Sequence, residues 1–242
     1  MTQPTRTAVV VGAGDYIGAA IVRRFAAEGF IVLAARRNGD KLTQLAAEIA
    51  VTGGTCLPRS ADARKEADIT ALMAEADAIA PLEAVIFNVG GNVNFPLLET
   101  TERVFRKVWE MACYAGFLTG REAARHMIPR ARGSIFFTGA TASLRGGKGY
   151  AAFASAKFGL RAIAQSMARE LGPANIHVAH LVIDAGVDTE WVRARMAAAG
   201  RTPEPDRLMN PASIAETYWQ LHTQPRDAWT HELDLRPAEE TW

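Results

Sequence analysis

The chain has 242 residues, 49% of them hydrophobic and 22% charged, which suits a single soluble α/β domain with a sizeable core and excludes disordered or disulfide-stapled classes. Its 27 basic residues nearly balance 26 acidic ones, so no field attracts nucleic acid or an anionic membrane, and no apolar run reaches the length of a spanning helix. Cys56 and Cys113 lack paired spacing and the five histidines form no H-E-x-x-H pattern, so no metal site is signalled; with a polar Met1 to Arg6 start instead of a signal peptide, a reduced cytoplasm is expected.

In chain order, short runs rich in β-branched residues alternate with segments of helical period, the pattern of repeated βαβ units. Strands are expected at Thr7 to Val11, Phe30 to Ala35, Thr55 to Ala61, Ala84 to Asn88, Ser134 to Thr138, His177 to Ile183 and Glu232 to Leu235. Helices are expected at Ile17 to Glu28, Lys41 to Ala50, Lys65 to Ile79, Thr101 to Met127, Tyr150 to Leu171 and Pro211 to His222, with Pro129 stopping the long one. The result is a doubly wound seven-stranded parallel sheet in a single domain spanning residues 1–242. The irregular stretch from Asp184 to Asn210 is too long for an ordinary connection; with a helical segment at Arg193 to Ala199, it reads as a lid over a substrate.

The first strand runs into Val11-Gly12-Ala13-Gly14-Asp15-Tyr16-Ile17-Gly18. Gly12 and Gly14 permit a tight turn in which backbone N–H groups approach a pyrophosphate, whose charge meets the positive end of the following helix. Gly18 allows that helix to pack closely on the strand. A strand before and a helix after make this a Rossmann-type dinucleotide site, with Tyr16 and Ile17 at its edge. The second strand ends in Arg36-Arg37, with no carboxylate to grip an NAD ribose. The two arginines can bind the extra phosphate of NADP through charge-assisted hydrogen bonds, or they form an ordinary solvated pair. The first reading makes NADP(H) the expected cofactor, ahead of NAD.

These residues resemble the short-chain dehydrogenase/reductase family along almost the whole chain. The resemblance places Asp62 against the adenine, identifies Phe87-Asn88-Val89-Gly90 with the family's Asn-Ala-Gly strand end, and assigns Asn88 and Gly90 to the cofactor. It matches Lys157 to the family's helix lysine and Thr189 to the threonine that steadies the nicotinamide amide, although Ile183-Asp184 replaces the usual Pro-Gly. It implies a small-molecule carbonyl, alcohol or enone substrate and association as a homodimer or homotetramer through the Thr101 to Met127 and Tyr150 to Leu171 helices.

The departures fall on the reaction centre. The family's general-acid Tyr aligns with Phe153, its Ser with Ala140 and its relay Asn with Ala112. Neither Phe nor Ala can deliver the proton that carbonyl reduction requires. Tyr150 and Thr141 carry hydroxyls nearby, so they and Lys157 form the candidate catalytic set; the competing readings are a packing tyrosine and a capping threonine. Two functions therefore remain open: an oxidoreductase with a non-standard or degenerate site, and a catalytically silent nucleotide-binding regulatory or partner subunit. Trp109, Tyr114 and Phe117 read as core or subunit packing, while Trp191, Arg193 and Arg195 stand on the expected lid.

Overall fold

The computed structural model describes residues 5–202 and 207–240. Seven parallel strands form one sheet in the order β3-β2-β1-β4-β5-β6-β7: β1 (Arg6–Val11), β2 (Phe30–Arg36), β3 (Thr55–Ser60), β4 (Leu82–Phe87), β5 (Gly133–Thr138), β6 (Ile176–Ile183) and β7 (Glu232–Leu235). Helices α1 (Ile17–Ala27), α2 (Thr43–Val51), α3 (Glu66–Ile79), α4 (Glu102–Trp109), α5 (Ala115–Met127), α6 (Ala151–Leu171), α7 (Glu190–Ala198) and α8 (Pro211–His222) connect and cover them. The seven-stranded doubly wound sheet read from the sequence is the one observed.

Strands β4 and β6 are buried along their whole length, as a parallel sheet covered on both faces requires. One apolar cluster joins α1 and α8 to a face of the sheet through Ile21, Phe25, Phe30, Phe136 and Tyr218. Another joins α3, α5 and α6 to the opposite face through Met73, Phe87, Leu118, Phe137 and Leu160. The order in which the chain adds strands reverses between β1 and β4, so the loops leaving their carboxyl ends part and open a crevice.

Two local readings are corrected. The helix expected over Thr101 to Met127 is α4 and α5 joined by a wide π-type turn at Glu110–Tyr114. Ala112 and Cys113 pack towards α6, whereas Ala115 joins the sheet-side core; one extra residue in the turn lets a single helix serve both surfaces. Strand β4 begins at Leu82, ahead of the expected Ala84, because Glu83 is buried against Arg132 at 3.1 Å and is compatible with the strand after all.

Candidate active site and dinucleotide crevice

The turn after β1 is shaped by what a side chain would strike. Gly12 has φ +90°, and a β-carbon there would lie 2.7 Å from the Asn88 carbonyl oxygen, so backbone strain and contact both demand glycine. At Gly14 a β-carbon would meet nothing within 4 Å. That side of the turn is open. Asn88 ties the turn to the neighbouring strands: its Nδ2 donates to the Gly12 carbonyl at 3.1 Å and its Oδ1 accepts from the Thr138 hydroxyl at 3.0 Å. Its amide is therefore a brace of the crevice wall.

Two adjoining cavities meet at this wall and share Gly12, Gly14, Asn88, Val89 and Gly90. The first, about 770 Å³, runs past Tyr16, Ile17, Gly18, Ala140, Thr141, Tyr150, Phe153, Lys157 and Thr189. The second, about 550 Å³, runs past Arg36, Arg37, Asp62 and Arg64. Every site residue read from the sequence thus lines one of the two. The Tyr16 ring is 37% exposed at the cavity edge.

The basic end of the crevice contains more acid than the sequence suggests. Arg36 donates to Asp15 at 2.7 Å. Asp62 receives a forked pair of hydrogen bonds from Arg64 at 2.9 and 2.6 Å; this side-chain pairing outweighs partial burial and brings its carboxyl down to about 2. Arg37 is exposed and makes no side-chain hydrogen bond among the described residues, so its fork is the readier of the two for a phosphate.

At the other end, Lys157 is 3% exposed, and its ammonium donates to the Thr138 carbonyl at 2.8 Å and the Val89 carbonyl at 3.3 Å. Burial pushes it down to about 8. The Phe153 ring centroid lies 5.9 Å from Nζ. Tyr150 lines the cavity half-buried, and no hydrogen bond engages its phenol among the described residues. It precedes Lys157 by two helical turns, about 10 Å along the axis, so the lysine does not pair with it in the way a neighbour one turn away does. Thr141 stands beside the buried Asp184 and helps hold its carboxyl below the ordinary range. Thr189 caps α7, its hydroxyl accepting from the Val192 amide at 3.0 Å.

Sequence reasoning passed over Asp184 and Arg145 as site residues. Asp184 directly follows the wholly buried β6, accepts from Arg236 at 2.8 Å and from Arg145 at 3.2 Å, and is 2% exposed. A carboxylate at the carboxyl end of a buried parallel strand was the available signal, because that edge is where such sheets bind ligands.

Fold and crevice define a nucleotide-binding α/β protein, and comparison with known proteins sets it in one family. The short chain dehydrogenase family model matches residues 6–199; the chain belongs to that family. A crystal structure of a short-chain dehydrogenase from Rhodopseudomonas palustris is 60% identical with a TM-score of 0.84, over 96% of this chain and 98% of that one. A metagenomic short-chain oxidoreductase solved in complex with NADP is 25% identical with a TM-score of 0.81, over 96% and 97% of the two chains. The 1-deoxy-11-beta-hydroxypentalenate dehydrogenase of Streptomyces exfoliatus is 28% identical over 98% of this chain and 94% of its own.

Proposed function

We propose that this chain is an NADP(H)-binding oxidoreductase of non-standard active site, acting on a small carbonyl, alcohol or enone. The observation that carries the reading is the pair of cavities joined at the glycine turn, with Arg37 at one end and the buried Lys157 at the other. A dinucleotide has that bipartite form. Residues at the turn fit it: Gly12 supplies the bend, and Gly14 and Gly90 leave open space where side chains would stand. The metagenomic relative with NADP bound supports the same cofactor.

When bound, NADPH supplies a hydride to a carbonyl carbon or an activated double bond. The protein must then handle the negative charge that develops on the acceptor. By the family resemblance Phe153, Ala140 and Ala112 occupy the general-acid, oxygen-binding and relay positions, and none can donate a proton. Losing a general acid ordinarily lowers the rate by about 10²- to 10⁴-fold. Tyr150, with its unengaged phenol on the cavity, is the donor we assign; Thr141, which helps hold the Asp184 carboxyl down, is given the lesser role of steadying that carboxylate. Lys157 holds the floor through two carbonyls and is placed to meet a ribose hydroxyl. The segment 184–210 is proposed as the lid, although residues 203–206 lie outside the described part of the structure; α7 brings Trp191 and Val192 to the cavity. Self-association as a homo-oligomer and residence in a reducing cytoplasm belong to the same proposal, the latter in keeping with two buried, unpaired cysteines. Among the described residues no helix is long and apolar enough to cross a membrane.

A second reading, a silent nucleotide-binding subunit, is favoured by the Phe153 ring standing near Lys157 in place of any acid. Fluorescence titration comes first: NADPH is expected to bind at least tenfold tighter than NADH, and equal dissociation constants overturn the cofactor assignment. NADPH oxidation is then followed across ketones, aldehydes and enones. Turnover in the parent that Tyr150→Phe abolishes supports the assigned donor. Turnover that appears only after Phe153→Tyr with Ala140→Ser supports the silent subunit.

A further inference from the structure

Beyond the cofactor and hydride positions, the large cavity holds one half-exposed cation. Among the described residues its charged lining residues are Asp15 on the glycine turn, Lys157 in the floor and Arg145 on the loop between β5 and α6. Arg145 is anchored from behind. Among the described residues its guanidinium gives a single hydrogen bond, at 3.2 Å, to Asp184, and its side chain remains 51% exposed. A guanidinium has five N–H donors in a rigid fork, so most of its capacity is left for a ligand.

The anchor is built to stay ionised in place. Asp184 is 2% exposed, and burial alone would push its carboxyl up, yet Thr141, Arg236 and Arg145 together hold it below the ordinary range. Arg236 is shared between Asp184 at 2.8 Å and Asp234 at 2.9 Å and sits only 17% exposed between them. The two arginines are therefore unequal: Arg236 is enclosed by two carboxylates, and Arg145 is held by one and turned to the cavity. The same cavity is lined by Phe153, Ile183, Ala185, Val187, Trp191 and Val192. An apolar chamber with one oriented fork fits an apolar body carrying one planar anion. A dianion would find a single cation here with a carboxylate close behind it, so a monoanion is the better match.

We propose that Arg145, positioned by Asp184, is a subsite for the carboxylate of an apolar substrate. This rests on the reading that the cavity receives a substrate, and it names that substrate's class. Arg145 thereby sets specificity and orientation and takes no part in proton transfer.

The test is isothermal titration of the full chain, at low salt, with the matched probes 2-naphthoate and 2-naphthamide. The wild type is expected to bind the carboxylate at least tenfold tighter than the amide. Arg145→Gln, checked for an unchanged thermal melt, brings the ratio below twofold, whereas Arg145→Lys, which keeps the charge, retains at least threefold. Arg23→Gln removes a guanidinium that pairs with Glu48 at 2.7 Å and lines neither cavity of the crevice, and it leaves the tenfold ratio intact. A wild-type ratio near one, no binding of 2-naphthoate, or a Lys variant that behaves as Gln overturns the subsite. Titrating NADPH into the same samples separates the two readings. NADPH binding without a carboxylate preference removes the subsite alone; a carboxylate preference without NADPH binding removes the cofactor reading alone.

Discussion

Lys157 is the residue whose protonation the fold governs most directly. It is wholly buried, its two partners are carbonyl oxygens rather than carboxylates, and desolvation lowers it from 10.5 to about 8. Between those values the unfolded chain holds a proton that the folded chain has released, so stability rises with pH across that window, and below about 8 the cost of burying the charged amine stands in full. That cost is roughly 3 kcal/mol, since each tenfold loss of proton affinity on folding is worth about 1.4 kcal/mol. Lys157→Met removes it. Urea unfolding of both proteins from pH 7 to pH 10.5 is expected to show the wild type gaining relative to the variant by that order; parallel curves would show that the amine is not desolvated. At this scale the sequence is legible only where a residue belongs to a local pattern. Lys157 is marked by its spacing from Phe153. Arg145 and Arg236 lie 39 and 52 residues from Asp184, and no periodicity announces a contact of that range.

At the scale of elements, strands and helices are legible almost throughout because burial imposes its period on the sequence: α1 and α8 present apolar residues to the sheet on one face, and β6 is buried on both and apolar apart from His177 and His180. The π-type turn at 110–114 is not. No glycine or proline interrupts 102–115, and the extra residue arises from packing against both α6 and the sheet, which is a tertiary demand. The turn into α1 is legible in outline, but its glycines differ in a way only geometry displays. Gly12→Ala meets both a positive φ and the Asn88 carbonyl; a loss of more than about 1 kcal/mol of stability is expected, the ordinary cost of a strained backbone position. Gly14→Ala has open space and is expected to leave the melting temperature unchanged while weakening NADPH at least tenfold, since the new methyl group enters the approach to the turn. Thermal melts paired with NADPH titration separate the effects, and a Gly14→Ala protein that binds NADPH like the parent would place the pyrophosphate elsewhere.

For the molecule as a whole, the alternation of strands and helices gives a parallel sheet with covering helices, whereas the strand order, and the crevice that follows from it, is displayed only by the structure. What the alternation does not reveal is the outer surface of the covering helices. Phe105 and Trp109 on α4, Phe117 on α5 and Phe158 on α6 are 37–42% exposed, and Trp109 stacks on Tyr114 with ring centroids 6.2 Å apart. Phe105 and Trp109 are one helical turn apart, and Trp109 approaches Gly159 across the α4–α6 seam, so these rings border one seam. Large aromatic groups gathered in this way mark association surfaces more often than solvent-facing ones. A chain of 26.1 kDa should therefore sediment at no less than twice that mass at 10 µM. The double variant Trp109→Glu, Phe158→Glu places two carboxylates on that surface and, if it is the interface, should sediment as a single chain with its NADPH affinity intact, because neither residue lines either cavity. A wild type of single-chain mass defeats the assignment outright; a variant that remains oligomeric moves the interface to another face.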